Sequence, residues 1–186
     1  MLNNFYDKYI FTGTLKFTHD NFLLIDIPFF MMPTEILMDI AGSNDVELHK
    51  KIYVAVKAST KEKLIPKLGE YGTELIREME LFRAYFSASG WGSVKIIDFD
   101  ADTRRAIVLL ENSPFASALK IKSKLPVDIF FRGVLAGAFS AFFKDDIDCV
   151  ETECASLGGG RCKFVLKPQG EFDFNNKMVQ DQLHVE

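Results

Sequence analysis

Apolar positions fall at helical spacing most clearly over residues 73–87. Leu75, Met79, Phe82 and Phe86 are four, three and four residues apart, so they share one stripe of a helix, with Glu74, Arg77, Glu78 and Arg83 largely off it. Residues 126–144 follow a different rule. Val127, Ile129, Phe130, Phe131, Val134, Leu135, Phe139, Phe142 and Phe143 leave almost no polar side, which predicts a buried helix with Pro126 in its first turn. The uncharged run 133–143 is only 11 residues, against the roughly 20 a bilayer span needs. Gly133, Gly137 and Ala141, four residues apart, form a smooth stripe that predicts tight packing on the sheet, or on a second copy of the helix in a dimer.

Strand-like runs rich in aromatic and β-branched residues occupy 5–11, 15–17 and 22–27, with a turn at Thr18-His19-Asp20-Asn21. A short helix over 34–41 stops at Gly42. Asn44 with Glu47 predicts the cap of a helix over about 45–58, although 52–56 is β-branched enough to compete as a strand. Ser59 with Glu62 opens another helix, which Pro66 should bend or break. Gly90-Trp91-Gly92 hands over to a hairpin, 94–99 with 105–110, in which Val94, Ile96, Ile107 and Leu109 line one side; 112–115 is a loop. A last hairpin, about 147–155 with 162–167, turns at Gly158-Gly159-Gly160. The order of elements predicts an α+β fold, an antiparallel sheet packed against several helices. It forms one domain over 1–167, with N-terminal strands in 1–32 and a loosely held polar tail over 168–186.

Composition changes this picture in one respect. Eighteen phenylalanines stand against one tryptophan and five tyrosines in 186 residues, more aromatic wall than an ordinary core needs. Such a surplus builds either a Phe-rich core or an apolar pocket for a small ligand. The net charge of −4 and the lack of long basic runs argue against a nucleic-acid surface or an anionic membrane. No basic segment followed by an apolar run opens the chain, and its three cysteines are an odd number, which together predict a cytoplasmic protein.

All three cysteines, Cys149, Cys154 and Cys162, lie in the last hairpin with Glu151 and Glu153. No Cys-x-x-Cys is present, so a thioredoxin-type pair is disfavoured. Glu151, Cys154 and Cys162 offer a carboxylate and two thiolates, which suit zinc, yet three small buried core residues are an equally valid account of the spacing. The triple glycine lacks the Lys-Ser or Lys-Thr of a phosphate loop, and no Gly-x-Ser-x-Gly supports serine catalysis. His19, His49 and His184 fall in turn, helix-surface and tail contexts and read as solvated.

Gly90-Trp91-Gly92, Asn112-Ser113-Pro114-Phe115, Pro126-Val127 with the glycine-bearing helix, and Glu151-x-x-Cys154-x7-Cys162-x-Phe164 together resemble the 4-vinyl reductase domain. The similarity runs through most of 30–167, and the Glu/Cys/Cys signature is its most specific part. That domain is similar in fold to small core subunits of the TRAPP tethering complex, and it forms the sensory module of bacterial activators that respond to aromatic compounds. The resemblance implies a cytoplasmic small-molecule-binding domain, commonly a homodimer, with a Phe-lined cavity. Phe82, Phe86, Trp91, Phe130 and Phe131 are its candidate ligand contacts. In the aromatic-sensing members a structural zinc is held by a cysteine at the start of the long helix and by a Glu, a Cys and a Cys on the hairpin. The last three correspond to Glu151, Cys154 and Cys162. The first corresponds to Asp128, where this chain departs from cysteine; aspartate is a competent zinc ligand, and Cys149 is the other candidate for the fourth corner. Asp128 has structural alternatives, the helix macrodipole or a pair with Arg132 one turn on.

The family's name implies a rival function, reduction of a tetrapyrrole vinyl group, or an accessory subunit for it. No nucleotide-binding glycine fingerprint supports an electron donor for such a reaction, so a non-enzymatic binding module is favoured. Scaffolding is the third implied role. A sensor of this size would signal through a separate effector protein.

Overall fold

The computed structural model describes residues 15–70, 75–119 and 123–183. The expected strand over 5–11 and His184 lie outside them. The chain divides into two units, Met1–Pro33 and Thr34–Glu186.

The first unit is a three-stranded antiparallel meander: β1 (Leu15–Thr18), β2 (Asn21–Leu24) and β3 (Ile27–Phe29). The apolar run 22–27 is not one strand. Ile25 and Asp26 both take positive φ, as do His19 and Asp20, so two-residue turns fold the chain twice. Pro28 lies within β3, an edge strand where a missing N–H is tolerated.

In the second unit α1 (Glu35–Ala41) forms as expected, with Gly42 at its C-terminus. α2 (Val46–Ser59) is capped by Asp45, whose side chain accepts from the Leu48 N–H at 3.0 Å, not by Asn44. The β-branched residues 52–56 stay helical, and Tyr53 is buried. No new helix opens at Ser59. The chain continues through a π-helical turn, Thr60–Leu64, into α3 (Ile65–Gly69), where Pro66 sits in the first turn and breaks nothing. α4 (Leu75–Ala88) buries Phe82, Tyr85 and Phe86.

A four-stranded antiparallel sheet follows, in the order β4 (Ser93–Asp100), β5 (Arg105–Glu111), β7 (Cys162–Pro168), β6 (Ile147–Glu153). Val94 pairs with Leu110 and Ile96 with Val108. The inner face of β5 therefore carries Ala106, Val108 and Leu110, and Ile107 and Leu109 lie on the other face. A bulge between Ile96 and Asp98 adds further slip to the hairpin. The expected loop at 112–115 contains the start of a short helix, α5 (Pro114–Ala118), with Ser113 as its cap and Pro114 in the first turn.

The long helix α6 runs Ile129–Phe143, two residues beyond Val127, so Pro126 is outside it. It is buried almost all round, as its apolar pattern demands. Lys144 ends it in the left-handed region. The smooth stripe faces neither the sheet nor a second copy. A Cβ on Gly137 would lie 2.4 Å from the Lys57 carbonyl oxygen, and one on Gly133 2.8 Å from Val56 Cβ, so the stripe is where α2 and the π-turn press against α6. The C-terminal stretch is not loose either. α7 (Lys177–Gln182) packs on β6, and Phe172, Val179, Gln182 and Leu183 are buried.

Candidate metal centre

Four side chains from three places in the chain converge. Asp128 stands at the N-terminal end of α6, Glu151 on β6, Cys154 just after β6, and Cys162 at the start of β7. One ligand atom from each lies within 4.8 Å of all the others, and all four residues are buried. Side chains three apart on a regular strand project to opposite faces. Here a bulge between Glu151 and Glu153 inserts Thr152 without a partner and turns the chain, so that Glu151 and Cys154 meet. The turn of Ala155–Leu157 and Gly158, at φ 96°, then returns the chain to Cys162. Gly158 takes a backbone conformation that side-chain-bearing residues avoid.

The polar contacts around the cluster are incomplete in an informative way. Ser113 Oγ donates to Asp128 Oδ1, and the Asp128 N–H donates to Glu151 Oε2 at 3.3 Å. Cys154 Sγ is 3.0 Å from Ser156 Oγ, and the Ala155 N–H points at Cys162 Sγ at 3.4 Å. Asp128 Oδ2 and Glu151 Oε1 are buried with no hydrogen-bond partner at all. A buried carboxylate oxygen without a partner costs about 1–3 kcal/mol or more. Two in one cluster, beside two thiols, are the donor set of a divalent ion that tolerates sulfur and oxygen.

The electrostatics agree. Burial raises the Asp128 carboxyl to about 6, against the pull of its hydrogen bonds to Cys162 and Ser113. Burial and the Asp128 charge push Glu151 well above the usual carboxylate range. The contact between the two thiols lowers Cys154 to about 5 and raises Cys162. These are groups that resist carrying four negative charges together and share protons until a cation relieves them.

The structural alternatives for Asp128 do not describe it. Its side chain makes no cap bond to α6, and among the described residues Arg132 makes no ion pair. Cys149 lies outside the cluster; its backbone N–H donates to Tyr53 Oη at 3.0 Å, and burial pushes its thiol up. His49 is not solvated but buried, its Nε2 3.2 Å from the Ile40 carbonyl oxygen.

The five aromatic candidates also come together. Phe86 stacks edge-on to Trp91 at 5.9 Å and to Phe131 at 5.9 Å, and Phe82 lies 4.7 Å from Phe86. Phe130 joins through Phe115, which the sequence pattern did not single out. The rings fill one another's space. A cleft of about 350 Å3 lies elsewhere, lined by Tyr53, Lys57, Lys61, Asp146 and Asp148.

Sequence spacing also missed Ser113, Ser156, Arg132 and Gln182. Ser113-Pro114 carries a readable signal, a capping serine before a first-turn proline. Gln182 carries none.

Fold and site thus define an α+β domain with a buried Asp/Glu/Cys/Cys cluster beside an aromatic core. Residues 107–168 match the model of the vinyl-4-reductase (4VR) domain, a stretch that holds the Glu/Cys/Cys signature and Asp128 and shows the resemblance drawn from those motifs. No curated protein sequence matches the chain. Among solved structures, the phenol-responsive sensory domain of the transcription activator PoxR with phenol is similar at 15% identity and TM-score 0.73, covering 96% of each chain. Subunit 3 of a trafficking protein particle complex from Naegleria fowleri, covalently bound to palmitic acid, is similar at 14% identity and TM-score 0.51, covering 72% of this chain and 86% of that one. A vinyl-4-reductase family protein from Methanocaldococcus jannaschii matches at 18% identity and TM-score 0.47, over 74% of this chain and 96% of that one. At these identities the first two likenesses establish the fold.

Proposed function

We propose that this chain is a small-molecule-binding, sensor-like domain held together by a structural zinc ion on Asp128, Glu151, Cys154 and Cys162. The observation that carries the binding role is the likeness to the PoxR sensory domain over nearly the whole of both chains. Zinc is favoured by the pairing of two thiols with two carboxyl oxygens that lack any other partner. Four protein ligands leave no coordination position for a substrate, so the ion acts as a clasp between β6, β7 and α6 and carries no chemistry of its own.

The ligand is an aromatic or other apolar molecule that enters the ring cluster of Phe82, Phe86, Trp91, Phe130 and Phe131 by parting it. Packed rings exchange contacts with one another for contacts with a guest ring at little net cost. Any homodimer uses a surface other than the Gly133/Gly137 stripe, which α2 already covers. Among the described residues no helix is long and apolar enough to cross a membrane.

Trp91 is the only tryptophan and sits in the ring cluster, so its fluorescence reports on the site. Titration with phenol is expected to change Trp91 emission saturably, with the response lost in Phe131→Ala. Emission unchanged by phenol up to its solubility would overturn phenol-type ligands for this chain.

A further inference from the structure

Arg132 is fully buried at 2% exposure, and no acidic side chain pairs with it among the described residues. Its guanidinium lies over the Tyr53 ring at 4.4 Å, and Nη1 donates to Gln182 Oε1 at 2.9 Å. Nε has no partner. A buried cation without a counter-charge is costly by several kcal/mol. The cavity beside it, lined by His49, Ile129, Glu151 and Gln182, is only about 10 Å3, room for a water at most and not for an anion. The counter-charge must come from the protein itself.

The metal centre supplies it. Two thiolates and two carboxylates carry four formal negative charges, and a divalent ion offsets half of them. Asp128 lies one helical turn before Arg132 on α6, and Glu151 and Arg132 are close enough to feel each other's charge. A second contact ties the same groups to the C-terminus. β6 is an edge strand, so the outward backbone groups of Glu151 have no strand partner. The Gln182 side chain replaces one: Oε1 accepts from the Glu151 N–H at 2.8 Å, and Nε2 donates to the Glu151 carbonyl oxygen at 2.9 Å. The same Oε1 also receives Arg132. One amide from α7 thus fixes the backbone of a ligand residue and the cation that balances the ligand set.

We infer that Arg132 and Gln182 are positioning residues for the metal centre, and that through them docking of the C-terminal helix and metal binding reinforce each other. The inference rests on the metal reading above. Coupling between two sites is reciprocal, so it has two signatures. Stripping the ion loosens α7, and loosening α7 releases the ion faster.

The experiment uses the full chain loaded with zinc. Amide exchange over 178–183 is compared before and after removal of zinc by a chelator, with 134–139 in mid-α6 as the internal reference. Zinc release to a chromogenic chelator is timed in wild type, Gln182→Ala and Arg132→Met. Expected are about tenfold faster exchange over 178–183 on stripping, and release accelerated about tenfold or more in Gln182→Ala, the scale of outer-shell metal partners. If Arg132→Met does not fold, Gln182→Ala and the wild-type exchange carry the test. Exchange over 178–183 that ignores zinc, with release from Gln182→Ala within about twofold of wild type, would overturn the coupling while leaving zinc in place. A wild-type chain that takes up no zinc would instead remove the metal reading, and this inference with it.

Discussion

Two buried regions lie side by side on the same two elements and solve opposite problems. α6 contributes Asp128 to the polar cluster and Phe131 to the rings; β7 contributes Cys162 to one and Phe164, 5.6 Å from Phe131, to the other. The rings are complete without any addition, because each finds a neighbour at ordinary stacking distance. The polar cluster is not complete, because two of its oxygens have no partner and its protons are shared among groups that repel as anions. The lesson concerns what each region needs from outside. An apolar cluster can close on itself and open for a guest, whereas a polar one in low dielectric must be satisfied at all times.

Breaking the polar side should cost most. Cys162→Ser removes one thiolate and with it the ion, and is expected to lower stability by roughly 5 kcal/mol or more, because structural zinc contributes directly to folding free energy. Chemical denaturation with and without added zinc measures it; a variant as stable as wild type would equate the two regions. Phe131→Ala breaks the apolar side. It leaves a cavity worth about 3–5 kcal/mol yet retains the metal, which separates the two regions by their ion content. The smallest effect sharpens their border. His49 shares the small cavity beside Arg132 and Glu151, and burial holds it below its ordinary 6.5. It is therefore neutral in the fold. The unfolded chain takes up its proton first as pH falls below 6.5, and the stability that neutral His49 contributes above that value is lost as pH falls through the depressed folded value. His49→Gln should flatten this acid limb of the stability curve while leaving the metal content unchanged.

Much of this was legible along the chain. The Glu-x-x-Cys-x7-Cys spacing and the apolar runs pointed to the cluster, the long buried helix and the antiparallel hairpins, since all three depend on local patterns. Asp128 was legible only through the resemblance, as one acidic residue before an apolar helix has several ordinary uses. The β5 faces were misassigned because a single bulge in β4 shifts the pairing, and period-two patterns carry no record of which partner residue bulges. The C-terminal stretch misled for a different reason. Its composition is polar, yet Val179 and Leu183 are spaced to bury one side, and Gln182 is buried because a distant edge strand needs its amide. The same holds for Arg132, whose burial is intelligible only once Tyr53, Gln182 and the anionic cluster surround it.

The central claim is that the Asp128/Glu151/Cys154/Cys162 cluster is a metal centre. Its most direct test is native mass spectrometry, with elemental analysis, of the chain purified under reducing conditions without added metal or chelator. One zinc per chain, absent from Cys154→Ser and Cys162→Ser, is the predicted result. A folded, metal-free chain that takes up no zinc on titration would contradict it.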